Sequence, residues 1–192
     1  MRTTFKILLA AVILLITQNT NAQFRKKDNP RVPDRFHFGP RAGITINHYF
    51  GSPGYGSKAL LYPSGGFAFD AQVAPIPLFV GMGINYVNYG FKHGSSTMES
   101  NAIQVPMICS YHINMASNLF INPFFGGFVA YAEKTNDHEN LNGGLRLGCG
   151  MNYGRFTFDV NYDIGLVDVG KQRRRTTGTA FITLGFNWAG SR

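Results

Sequence analysis

A chain of 192 residues is the size of one domain. Charged residues make up 15% of it, against roughly 25% in ordinary soluble proteins, while 23 Gly, 17 Phe and 9 Tyr are an unusually rich supply. That mixture argues against a soluble helical protein and suits a sheet with one face in lipid, where glycine permits close approach and curvature.

The amino-terminal residues read as an address. Arg2 and Lys6 supply a basic start, Ile7 to Ile16 form an apolar run, and Thr20-Asn21-Ala22 offers small residues for cleavage. A run of about ten residues is too short for a spanning helix, which needs about 20, and right for a secretory signal. Residues 1–22 are therefore expected to be a signal peptide cut before Gln23, with no Cys after the cut to carry a lipid. Losing Arg2 and Lys6 leaves 16 Lys and Arg against 10 Asp and Glu, a charge of +6. An exported basic chain does not meet nucleic acid; its partners are expected to be outer-membrane lipid and acidic glycolipid. Residues 23–35, with Arg25-Lys26-Lys27 and scattered prolines, read as a flexible periplasmic lead.

From residue 36 onward the pattern is alternation. Phe36, Phe38, Ala42, Ile44 and Ile46 share one face, with His37, Gly39, Arg41, Gly43, Thr45 and Asn47 on the other. Phe67, Phe69, Ala71 and Val73 form a shorter face with Asp70 and Gln72 behind it. Val80, Met82, Ile84 and Tyr86 follow, and then Ile103, Val105, Met107, Cys109 and Tyr111. Leu119 to Tyr131 is ambiguous, because Phe120, Phe124, Phe125 and Phe128 occupy both faces. Leu145, Leu147, Cys149, Met151 and Tyr153 alternate with Gly144, Arg146, Gly148, Gly150 and Asn152. The cleanest run is Phe156 to Leu166, where every even position is apolar and Thr157, Asp159, Asn161, Asp163 and Gly165 lie between. Ala180, Ile182, Leu184, Phe186 and Trp188 close the series. A period of two is a strand with unlike faces, and a helix would scatter Asp159 and Asp163 among the apolar positions.

The count comes to about eight strands of about ten residues, the length a tilted strand needs to cross a bilayer. No second apolar run is long enough for a transmembrane helix. The connections expected to be long are His48 to Pro63, Gly90 to Asn101, Ala132 to Asn140 and Asp168 to Arg175. Ala74 to Pro77, His112 to Asn118 and the turn at Gly154 are short, giving the long–short alternation of outer-membrane barrels. A small soluble barrel would also alternate, with its apolar face inside. Lipid outside is favoured by a polar face rich in Gly, Asn and Thr and by aromatics near strand ends: Phe36, Tyr86, Tyr111, Tyr131, Tyr153, Phe156 and Trp188. The expected fold is an all-β, transmembrane, antiparallel up-and-down barrel spanning residues 36–192, in the outer membrane of a Gram-negative cell.

These segments carry a resemblance. Ala102-Ile103-Gln104-Val105-Pro106-Met107 followed by Tyr111 resembles the "IPL…Y" strand of the PorT-like outer-membrane β-barrel domain. Pro123 to Tyr131 is similar to that family's following "PY-x-x-x-G" strand, with Phe124 in place of the usual Tyr. Gly144 to Tyr153 and Tyr162-Asp163-Ile164-Gly165-Leu166 resemble its late strands ending in "Y-x-x-G-L". The resemblance covers nearly the whole chain after the leader. It implies an eight-stranded outer-membrane barrel, with some relatives tied to protein secretion. Ala189-Gly190-Ser191-Arg192 after Trp188 departs from an ending on an aromatic residue.

An eight-stranded lumen is filled by side chains. Arg41, Asp70, Arg146, Asp159 and Asp163 fall on inward faces and are expected to form a lumenal polar network, because isolated buried ions are strongly disfavoured. Lys171, Arg173, Arg174 and Arg175 make a basic patch in the last outer loop, either an anion site matched to glycolipid phosphate or a solvated run. Cys109 and Cys149 are expected to be free thiols on the apolar face. Chemistry is thin: the five histidines lack metal spacing, and Gly148-Cys149-Gly150 has no helix after it. His93-Gly94-Ser95 with Glu99 faintly resembles the His-x-Ser of lipid A deacylases but falls in a predicted loop. No catalytic residues, metal or cofactor are expected. The expected role is membrane-stabilising or partner-docking through outer loops, with a place in secretion machinery as the second reading and lipid A modification as the third.

Overall fold

The computed structural model describes residues 36–51, 60–73, 76–93, 96–132, 141–166 and 175–188. The expected signal peptide and periplasmic lead lie outside these residues. The strands are β1 (Phe36–Gly51), β2 (Leu60–Gln72), β3 (Leu78–His93), β4 (Ser96–Tyr111), β5 (Ile113–Ala116), β6 (Leu119–Ala132), β7 (Leu141–Tyr153), β8 (Phe156–Gly165) and β9 (Arg175–Phe186). Consecutive strands pair antiparallel except β4 and β5, which both pair β6; β1 pairs β9, and the sheet is closed. The β4 and β5 segments form one stave. Both pair β6 in continuous register, Ser110 opposite Phe124 and Ile113 opposite Ile121. They are interrupted at His112, whose N–H turns to the Pro77 carbonyl at 2.9 Å, and the register shifts by a bulge between Asn114 and Ala116. The result is an eight-staved up-and-down barrel.

The faces answer which side is greasy. On β9, Leu184 is 65% exposed and Phe181 is 2% exposed. On β8, Phe156, Phe158 and Val160 point out, while Thr157, Asn161 and Asp163 are buried inside. The same division holds on every stave. Among the residues whose side chains are described, outward Lys, Arg, Asp or Glu occurs only at Glu99, towards the loop end of β4, and at Arg155 in the turn. An outer wall of this extent without charge has no stable place in water. The ambiguous stretch is β6. Phe124 and Phe128 face the lumen and Phe125 faces out, so apolar residues stand on both sides.

Several connections differ from expectation. β2 begins at Leu60, before the expected boundary Pro63, and pairs it with Asn47, while β1 runs past His48 to Gly51 along β9. Gly90 to Asn101 is a β-ribbon rather than a long loop: Lys92 pairs Thr97 and His93 pairs Ser96. The segment has only Phe91 and Met98 as large apolar residues among Gly90, Lys92, His93, Thr97, Glu99 and Ser100, so no apolar alternation marks it as strand. The ribbon outruns its neighbour, since β2–β3 pairing ends at Gly65 opposite Tyr86, two residues short of Pro63, which has no N–H to donate. The Asn47 side chain reaches across and donates to the Asn88 carbonyl. At the other end, Gly154 takes a left-handed φ of 58° and makes the two-residue β7–β8 turn.

A narrow lumen has room for a large side chain only where the stave beside it carries none. Asp70 lies opposite Gly81, Asp159 opposite Gly150, and Arg41 opposite Gly185, and a Cβ at any of these glycines would collide with the side chain it faces. Gly150→Ala is therefore expected to displace Asp159 and cost about 1–3 kcal/mol of overpacking. Urea unfolding followed by Trp188 fluorescence checks this, and a midpoint equal to wild type would show that the lumen yields.

Candidate functional site

Three layers fill the lumen. Towards the loop end, the Arg146 guanidinium on β7 grips Asp163 on β8 with two bonds, Nε to Oδ1 at 2.7 Å and Nη2 to Oδ2 at 2.8 Å. Gln104 reaches across from β4, accepting from Arg146 Nη2 at 2.6 Å and donating to Asp163 Oδ2 at 2.8 Å and to the Tyr89 hydroxyl at 3.2 Å. Phe181 lies under the guanidinium, 4.8 Å from ring centre to Cζ. Three planar groups thus hold one another in a fork geometry that satisfies both charges. Above them Val87, Ala102, Phe128, Ala130 and Ala132 pack into a buried apolar stopper.

The middle layer holds Arg41, Asp159 and Asp70. Arg41 Nε stands 3.6 Å from Asp159 Oδ2, and its terminal nitrogens donate to the Pro40 carbonyl at 3.1 Å and to Asn187 Oδ1 at 2.9 Å. Asp70, on β2, belongs to neither ion pair and lies within coulombic reach of both Arg41 and Asp159. These three groups line a cavity of about 90 Å³ together with Asn85, Asn122, Asn152 and Asn161.

The turn end is closed by rings. His112 stacks on Phe79 at 3.8 Å between centroids, and His37 lies parallel to both at 5.6 and 5.7 Å. Ser110 Oγ lies 3.3 Å from His112 Nε2. His112, expected in a connection, is thus a lumenal residue.

The five charged residues assigned to the lumen all face it, in two groups rather than one network. Arg146 and Asp163 form the upper group, and Arg41, Asp159 and Asp70 the lower. Gln104, Phe181 and the His37–Phe79–His112 stack were not singled out in the sequence. Their signal is present: Phe79, Val87 and Phe181 interrupt otherwise polar inward faces.

The basic segment is split by the structure. Lys171, Arg173 and Arg174 lie outside the described residues, and Arg175 opens β9 opposite Gly51 instead of standing in the loop. Of the His-x-Ser segment, His93 ends β3, Gly94 and Ser95 lie outside the described residues, and Glu99 accepts the Tyr62 hydroxyl at 3.0 Å. Cys109 and Cys149 are free, with Cys149 exposed on the outer wall. Among the described residues no three His, Cys, Asp or Glu side chains are grouped to hold a metal.

A closed eight-staved barrel, apolar outside and packed with polar side chains inside, is the fold of the small outer-membrane β-barrels. One solved structure supports this fold. OprG from Pseudomonas aeruginosa superposes with a TM-score of 0.52 at 11% identity, covering 80% of this chain and 96% of that one. Ail of Yersinia pestis, solved with the heparin analogue sucrose octasulfate, gives 0.49 at 12%, covering 80% and 99%. Neisserial surface protein A gives 0.47 at 11%, covering 81% and 99%. No family model matches the chain, and no curated protein matches it.

Proposed function

We propose that this chain is an integral outer-membrane barrel of the PorT-like kind, exported by its leader, with a non-enzymatic role exercised at its loop end. The observation that carries the reading is the inverted polarity. Every described stave presents an exposed apolar face outward, while the lumen is blocked by the Arg146–Asp163–Gln104 cluster and the rings of His37, Phe79 and His112. A surface of that kind belongs in acyl chains, and a blocked lumen does not conduct. What remains to act is the set of outer connections. Lys171, Arg173, Arg174 and Arg175 suit glycolipid phosphate, and envelope or secretion proteins are the partners such connections would dock.

The folded barrel should migrate faster than its boiled form on a gel, and in planar bilayers it should give no steady conductance. A lasting open channel would overturn the blocked lumen. Photo-crosslinkers placed at 52–59 and 133–140 in native membranes separate docking from secretion: one defined secretion component captured at both sites favours the latter. For lipid modification, His93→Ala is expected to leave lipid A unchanged, and an altered lipid A profile would reinstate an enzyme.

A further inference from the structure

The middle layer of the lumen does not balance. Its fixed positive charge is Arg41, and it holds two carboxylates, Asp70 and Asp159, because Arg146 is committed to Asp163 by two bonds. The Arg41 donors are themselves turned elsewhere, one to the Pro40 carbonyl and one to Asn187, with only Nε towards Asp159 and at ion-pair rather than hydrogen-bond distance. A carboxylate left over in a buried compartment is strongly unfavourable unless something positive meets it.

The neighbouring side chains say what kind of positive group. Asn122, Asn152 and Asn161 line the same cavity, are 6%, 8% and 8% exposed, and each has a buried Oδ1 with no hydrogen-bond partner among the described residues. Ser64 Oγ, also on the cavity wall, is in the same position. Asp159 Oδ1 from β8 and the amide nitrogen of Asn122 from β6 both approach the face of Gly150, which sets these two side chains at one level of the lumen. Apart from His112 Nδ1 at the turn end, the unmatched atoms on the cavity wall are oxygens, drawn from β2, β6, β7 and β8, around a space of about 90 Å³. A set dominated by carboxylate, amide and hydroxyl oxygens suits a hard cation. One surplus negative charge beside a resident guanidinium suits a monovalent ion and disfavours a divalent one.

We propose that the lumen holds a buried, partly hydrated monovalent cation of the sodium type, bound by Asp70 with Asp159 and the amide oxygen of Asn122, which lies level with Asp159, while Asn152 and Asn161, two residues to either side in register, meet its water shell. The cation completes the charge balance of the lower half of the plug and ties β2 to β6, β7 and β8 across the barrel. The strands it joins are not sheet neighbours across this gap, so the tie adds a link that backbone hydrogen bonds do not make.

The test is unfolding of the full chain in phospholipid vesicles by urea, followed by Trp188 fluorescence, with NaCl replacing choline chloride at constant ionic strength. Well above the dissociation constant, each tenfold rise in Na⁺ should lower the unfolding constant nearly tenfold, since an ion bound only by the folded form acts by mass action. Choline, too large for the site, should give no such dependence, and Asp70→Asn, which keeps the shape and removes the charge, should abolish it. Excess line broadening of the ²³Na resonance by the wild-type barrel, reversed by adding K⁺ or Tl⁺, reads the site without any variant. Identical unfolding constants in NaCl, KCl and choline chloride, with no excess broadening, would overturn the proposal: the surplus charge is then met by a proton, or by amides rotated to donate to Asp70. A sodium dependence that survives in Asp70→Asn would overturn the assignment of the ligands.

Discussion

Asp163→Ala should be among the most damaging single substitutions in the barrel, costing about 3–5 kcal/mol. The reason is what it leaves behind. Arg146 is 5% exposed, and it gives two of its donors to Asp163 and one to Gln104, with Phe181 against its face. Without the carboxylate the guanidinium remains charged, because its pKa lies far above any working pH. Gln104 keeps the Tyr89 hydroxyl but loses its other acceptor at the same time, so one buried amide N–H is also stranded. The double replacement Arg146→Met with Asp163→Leu removes both charges at similar volume and should recover most of the loss, as buried pairs exchanged for apolar residues commonly do. Urea unfolding of the two single variants and the double variant gives the coupling directly. If Asp163→Ala fell within 1 kcal/mol of wild type by that measurement, Arg146 would be finding water or another partner, and the plug would be far looser than the geometry indicates.

How far the sequence revealed this site depends on which property is asked of it. Facing is legible from alternation alone: along Phe156 to Leu166 every residue sits on the side its parity demands, since a strand has only two sides. Depth and cross-lumen neighbours are not, because they depend on the stagger of the staves. Nothing local to Asp159 and Asp163, four residues apart on one face, says that one meets Arg146 and the other Arg41. Gln104 was visible only as a polar residue in an apolar run, and its partners come from β7 and β8, over forty positions away. Phe124 and Phe128 confused β6 because a narrow lumen accepts aromatic rings beside glycines, as Phe124 does against Gly148. His112 was lost for a different reason. The stave bends there, and a break in backbone pairing looks in the sequence like the end of a strand.

The assignment of inside and outside predicts a second large effect that depends on depth. Leu147 is the middle residue of β7, points outward and is 52% exposed. With acyl chains around the wall, Leu147→Arg places a charge near the bilayer midplane and should cost about 2–4 kcal/mol, whereas Phe156→Arg, at the turn end of β8, should cost about 0–1 kcal/mol. Both residues are exposed aliphatic or aromatic side chains, so in a water-soluble barrel both changes would relieve unfavourable exposure and be neutral or stabilising. The sign of the Leu147 effect therefore separates the two environments, and the gap between Leu147 and Phe156 reports depth rather than loss of packing. Gln in place of Arg at Leu147 controls for polarity without charge and should fall between. Unfolding in phospholipid vesicles reads all three variants, and equal values at Leu147 and Phe156 would mean that the apolar wall is covered by something other than a bilayer. Because the neighbours of Leu147 across the sheet, Phe125 on β6 and Tyr162 on β8, also face outward, one arginine here tests the wall of three staves at once.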